Sequence, residues 1–168
     1  MKIIKPLWML SFLTCFAIIL LTYANLPLNV NIGDVQNNGF VITRNLYFYY
    51  TAGLLLFLNI VLNIAGKAIQ FVPKEGVIIP NKKIWLTNKK STKELFFLVK
   101  AWTRGLAFIL NLFLCVFYGV LYNQNSEGNF MLGWTLYLIA GMLAAWFLYF
   151  FVLFLSKPKS LKEEYSKK

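Results

Sequence analysis

Four long runs without a charged residue constrain this chain more than any other feature of its sequence. They lie at 6–33, 45–66, 105–126 and 128–156. A helix rises about 1.5 Å per residue, so about 20 residues cross the roughly 30 Å hydrocarbon core of a bilayer. Apolar residues make up 59% of the chain and charged residues 14%, against about 45–50% and 25% in soluble domains. The sequence therefore predicts an all-α membrane protein, a bundle of four transmembrane helices.

The basic residues predict how these helices are oriented. All seventeen Lys and Arg except Arg44 fall on one side of a four-span arrangement, and basic loops stay in the cytoplasm. We therefore expect both termini in the cytoplasm and a protein that crosses its membrane several times. The single integral membrane domain covers 1–168. Its predicted spans are 7–24, 46–66, 105–122 and 131–155, with a basic cytoplasmic loop at 67–104 and a tail at 156–168.

The net charge of +11 is explained by this topology, because the basic residues flank the apolar runs. We therefore expect membrane lipids, and no nucleic acid, to be partners.

A cleaved signal peptide is the alternative for the first span. Lys2 and Lys5 precede an apolar stretch that ends near the small residues Thr22 and Ala24, as in such peptides. Cleavage would leave three spans and an external N terminus.

Two connecting segments carry structural signals. Alternating apolar residues at 26–32, a turn-rich stretch at 33–39 and the apolar run 40–43 predict a small hairpin on the outer face. In the cytoplasmic loop, the Ser91-Thr92-Lys93-Glu94 stretch matches a capping box. We expect an amphipathic helix to begin there and to continue into the third span.

Polar side chains within the spans are amides and hydroxyls. Asn59 and Asn63 share one helix face, about 12 and 6 Å from the inner border, and Asn111 lies at about 10 Å. Ser11 and Thr14 fall in the same layer. The sequence predicts an intramembrane polar cluster of these five residues. Hydrogen bonding between helices and a ligand site are its two interpretations.

Catalytic, cofactor-binding and metal-binding constellations are not recognisable in the sequence. The chain contains no histidine, and its two cysteines, Cys15 and Cys115, lie inside apolar runs. The acidic residues form no pair within a span, whereas pumps and proton relays commonly have charged groups there. We expect a protein that is not an enzyme and that binds neither a metal nor a cofactor.

Contact surfaces are the remaining functional candidates. Gly141 and Ala145 form a small-xxx-small pair that permits close helix approach, to a partner either within the chain or in another subunit. In the cytoplasmic loop we expect a protein-contact surface. Its predicted residues are Pro80, Asn81, Trp85, Lys89, Lys90 and Lys93.

Two stretches resemble a known family. The first is Leu26-Pro27 with Val30 and Gly39; the second is Ile79-Pro80-Asn81 with Trp85 and Leu86. Over about 1–86 they resemble the N-terminal domain of unknown function found in SdpI-type bacterial immunity proteins and their relatives. The resemblance implies a bacterial inner-membrane protein concerned with peptide-toxin resistance, envelope sensing or relay to a cytoplasmic partner.

The chain departs from that family in two respects. Asn31 and Gly33 stand where the family often has a proline and a histidine, so no role of that histidine carries over. The additional helices of the full architecture do not form a separate domain here. The leading hypothesis is an accessory subunit, envelope sensor or immunity-type protein with a protein partner. The alternative is a small transporter or channel subunit, a homo-oligomer in which the polar layer lines a passage.

Overall fold

A computed structural model describes residues 3–32, 39–126, 133–156 and 158 of the chain, with the backbone alone at 133–136. In chain order its elements are α1 (Ile4–Asn25), β1 (Asn29–Ile32), β2 (Phe40–Thr43), α2 (Arg44–Ala68), a 3₁₀ turn (Lys74–Gly76), α3 (Lys82–Trp85), α4 (Lys89–Asn125) and α5 (Gly133–Leu155). The helices α1, α2, α4 and α5 are long and apolar enough to cross a membrane. The prediction of a mostly helical protein with four such helices and a small hairpin is confirmed.

The helices α1 and α2 each bury one narrow stripe of side chains. On α1 the stripe contains Ser11, Cys15 and Ile19, four residues apart, and positions at this spacing lie on one helix face. Most of the exposed α1 surface is apolar, as at Leu10 and Leu13. A helix that is apolar on every side suits contact with lipid.

The longest helix, α4, is the centre of the bundle. Its 37 residues extend for about 55 Å, and it packs against α1, α2 and α5. It runs without interruption through the predicted third span, but the prediction that it begins with a Ser91–Glu94 capping box is wrong. The N-cap is Asn88, whose side chain accepts from the Ser91 backbone N–H at 2.8 Å, and Ser91 is the reciprocal N3 residue.

The two ends of the bundle have different structures. At one end, β1 and β2 pair antiparallel, with Asn29 opposite Thr43, and β1 packs near the end of α4. At the other end, the segment between α2 and α4 folds onto the start of α4 and the end of α5, where Val77, Trp85 and Phe154 share a buried core.

Close helix approach occurs at glycines other than the predicted one. A Cβ atom at Gly66 would overlap Thr103 Oγ1 of α4, and one at Gly105 would overlap the indole of Trp146. Gly141 has no described atom within 4 Å of its Cβ position. Among the described residues, Gly141 therefore makes no close approach to another helix.

Candidate functional site

A small group of polar side chains lies buried where α1, α2 and α4 meet. The helix α1 contributes Trp8 and Ser11, α2 contributes Asn59 and α4 contributes Asn111. Ser11, Asn59 and Asn111 are only 4%, 5% and 1% exposed. We call these four residues the amide cluster. The structure thus brings together three residues predicted from their depth in the membrane, and adds a tryptophan.

Direct hydrogen bonds join the members of the amide cluster. Asn59 Nδ2 donates to Asn111 Oδ1 at 2.8 Å, and Asn111 Nδ2 donates back to Asn59 Oδ1 at 3.2 Å. Trp8 Nε1 donates to Asn59 Oδ1 at 2.7 Å, and Asn111 Nδ2 donates to Ser11 Oγ at 3.1 Å. Asn59 Nδ2 also donates to the Leu55 carbonyl of its own helix at 2.8 Å. Three helices are thereby linked through two amides.

The bonding capacity of this cluster is nearly used up. A primary amide has two N–H donors and an oxygen with two lone pairs. Asn59 uses both donors and accepts two bonds, while Asn111 uses both donors and accepts one. Neither amide has a free donor for a solute, and a satisfied buried network holds one packing arrangement. The geometry favours interhelical bonding over a ligand site.

Two residues predicted for the cluster lie outside it. Thr14 is exposed on α1. The buried stripe of this helix runs through Ser11 and Cys15, and Thr14 is rotated about 100° around the helix axis from Cys15. Asn63 is half-buried and lines a surface groove between α1 and α2 together with Trp8 and Asn59. Trp8 was not predicted as a member, although its position one turn before Ser11 was a usable signal.

The loop before α4 contains a second polar arrangement, which caps α5. Asn81 Nδ2 donates to the Leu155 carbonyl at 2.7 Å, and Trp85 Nε1 donates to the Phe154 carbonyl at 3.0 Å. The last four carbonyls of a helix have no partner within it, so these two side chains satisfy the end of α5. Asn81 has a left-handed backbone, with φ at 55°, a conformation that asparagine tolerates better than most residues.

This arrangement corrects the predicted cytoplasmic contact surface. Trp85 is 1% exposed and belongs to the core of the protein, so it is not available to a partner. Pro80 is half-buried, and Asn81 is exposed but bonded to α5. Lys89, Lys90 and Lys93 are exposed on the first turns of α4. We call these three lysines the basic stripe.

At the opposite end of the bundle, the hairpin is fixed to the end of α4. Asn125 Oδ1 accepts from the Asn31 backbone N–H at 2.6 Å, and Asn125 Nδ2 donates to the Asn31 carbonyl at 2.9 Å. The side-chain amide thus pairs with β1 as a neighbouring strand would. Phe40 and Val41 are exposed on β2, so this fixed hairpin presents apolar side chains outward.

Arg44, the base predicted to lie alone on the outer side, is used within the chain. Its Nη1 donates to the Leu26 carbonyl at 3.1 Å, and its guanidinium lies 5.2 Å from the centre of the Tyr23 ring. Both contacts are at the end of α1, where a cation is favourable for the helix dipole. Arg44 therefore joins the base of the hairpin to α1.

The described residues contain no group of three or more His, Cys, Asp or Glu side chains placed to hold a metal ion. Cys15 and Cys115 are free thiols in the apolar core between α1, α2 and α4.

Comparison of the chain with family models, with curated proteins and with solved structures finds no significant match.

Proposed function

We propose that this chain is a non-enzymatic protein of the bacterial inner membrane that acts through protein contacts, as an accessory subunit, envelope sensor or immunity-type protein. The closed hydrogen bonding of Asn59 and Asn111 is the observation that carries the proposal. These residues hold the bundle together and leave no donor for a solute, so partner recognition is expected at the two structured ends.

The basic stripe is the favoured contact surface. Lys89, Lys90 and Lys93 are exposed, and residues at this spacing lie on neighbouring parts of one helix face. The loop that precedes them presents Phe71 and Ile78 to solvent. Since α4 continues into the bundle and the loop is bonded to α5, these groups are held on a rigid base. An acidic surface with apolar residues is the partner chemistry that fits them.

A transporter or channel subunit fits the geometry less well. A passage through the polar layer would have to separate Asn59 from Asn111 and leave buried amides without partners, which costs free energy. The groove beside Asn63 is lined mostly by apolar side chains of α1 and α2. Such a lining suits lipid better than a hydrated solute.

Affinity purification from native membranes in mild detergent tests the proposal. The tagged protein is compared with a variant in which Lys89, Lys90 and Lys93 are all changed to Gln. The matched control changes Lys67, Lys74 and Lys83 to Gln, because these are also exposed lysines of the same loop region. Mass spectrometry then measures the stoichiometry of proteins that elute with each form.

We expect a stoichiometric partner that is retained by the control and lost from the stripe variant. Equal retention of the partner by all three forms would show that the basic stripe does not form the contact. A partner-free protein that moves a solute across liposomes would overturn the proposal and favour the transporter alternative.

A further inference from the structure

An apolar groove runs along the bundle surface between α1 and α5. The helix α5 packs mainly on α4 and leaves a cleft of about 520 Å³ toward α1. Its walls include Leu7 of α1, Phe108 of α4, and Met142, Trp146 and Tyr149 of α5. We call this cleft the α1–α5 groove. The groove opens onto the flank of helices that are long and apolar enough to cross a membrane. In a membrane its opening would therefore face lipid.

A basic pocket of about 110 Å³ adjoins one end of this groove. Ile4 lines both spaces, and Arg104 of the pocket is followed directly by Gly105 of the groove. The ionisable residues that line the pocket are Lys5, Lys100 and Arg104, with no acidic residue among them. Three positive charges therefore meet at the point where the apolar groove ends.

The Arg104 side chain is fixed in position and has one buried donor without an acceptor among the described residues. Its guanidinium lies 5.7 Å from the centre of the Trp8 ring, so it is positioned by a cation–π contact. Its Nε is buried and has no hydrogen-bond partner among the described residues. A buried donor without a partner costs free energy, and the lining of this pocket supplies no acidic side chain to the guanidinium.

From these observations we propose that the groove and the basic pocket form one binding site for an anionic phospholipid. The phosphate would accept hydrogen bonds from Lys5, Lys100 and Arg104, and one acyl chain would lie along the α1–α5 groove. Basic pockets at the border of spanning helices recognise lipid head groups in this way. The site lies at the same end of the bundle as the loop before α4. A free anion would fill only the smaller space.

The site is separate from the basic stripe and does not depend on the proposed function. Its test uses the full chain in nanodiscs that contain phosphatidylcholine with a small fraction of phosphatidylglycerol. Native mass spectrometry counts the lipids that stay bound after release from the disc. We expect one retained phosphatidylglycerol and no comparable retention of phosphatidylcholine.

Two sets of variants, each with its controls, test the two halves of the site. For the pocket, Lys5→Gln and Lys100→Gln should each weaken phosphatidylglycerol retention about fivefold, whereas Lys89→Gln and Lys90→Gln should not. For the groove, Ala145→Phe fills a lining position and should reduce retention. Ala144→Phe adds the same ring at an exposed position outside the lining and should leave retention unchanged.

The melting temperature of each variant is measured alongside, so that misfolded forms are recognised and the remaining variants decide. Equal effects of site and control variants would overturn the proposal. Retention of inorganic phosphate in place of lipid would show a simple anion site. Retention of a second protein in place of lipid, lost on Ala145→Phe, would show that the groove is a protein interface. Either result would also contradict a lipid site.

Discussion

Replacement of Asn111 by leucine should destabilise the bundle more than replacement of Asn63, a polar residue of α2 outside the amide cluster. Asn111 exchanges two bonds with Asn59 and donates a third to Ser11, so one substitution breaks contacts from α4 to both α1 and α2. Leucine has a similar size and is apolar. The expected loss therefore comes from hydrogen bonding, with little contribution from a cavity.

The magnitude follows from the bonds lost. Interhelical hydrogen bonds in a membrane protein average about 0.6 kcal/mol, so three bonds give about 2 kcal/mol. One N–H of Asn59 also loses its acceptor, which adds to the cost. A loss of about 2 kcal/mol lowers the folding equilibrium constant about thirtyfold.

Reversible unfolding in mixed micelles with increasing SDS, followed by tryptophan fluorescence, measures this loss. Asn63→Leu is the matched control, because Asn63 is half-buried, lies one turn from Asn59 and is not part of the amide cluster. The control should change stability by less than about 0.5 kcal/mol. If Asn111→Leu falls within the range of the control, the interpretation of the cluster as interhelical bonding is refuted.

Three further predictions concern other contacts between segments of the chain. Gly66→Ala should lower the melting temperature, because its new methyl group meets Thr103 Oγ1; the double variant with Thr103→Ala should recover part of the loss. Trp85→Phe removes the bond to the Phe154 carbonyl and should cost about 1 kcal/mol in the same SDS titration, with faster amide exchange at the end of α5. Asn125→Ala should speed hydrogen exchange in β1, whereas stability of the spans should change little; unchanged exchange would contradict the hairpin contact.

The level of a polar residue along the bundle was predictable from the sequence, and the rotation of each helix about its axis was not. Counting residues from the charged borders placed Ser11, Asn59 and Asn111 in one layer, where the structure brings them together. The same count included Thr14, which is exposed, and Asn63, which is half-buried and makes none of the hydrogen bonds of the cluster. Since all faces of a lipid-facing helix are apolar, the sequence carries little periodic signal that shows which face is buried.

Contacts between segments that are distant in the sequence were the second feature that could not be predicted. Trp85 was predicted to be a contact residue because it lies in a basic loop, but its partner is a carbonyl 69 residues away. The start of α4 was misplaced for a local reason, since both Asn88 and Ser91 are good N-cap residues. The structure selects Asn88 and leaves Ser91 buried.

Site-specific photo-cross-linking in native membranes tests most directly whether this protein works through contacts at its ends. A benzophenone side chain is introduced at Lys93 of the basic stripe and, as a control, at Leu56, which is exposed on the flank of α2. We predict a single protein adduct of defined mass from position 93 and none from position 56. No adduct from position 93, or the same adducts from both positions, would contradict a specific partner at the basic stripe.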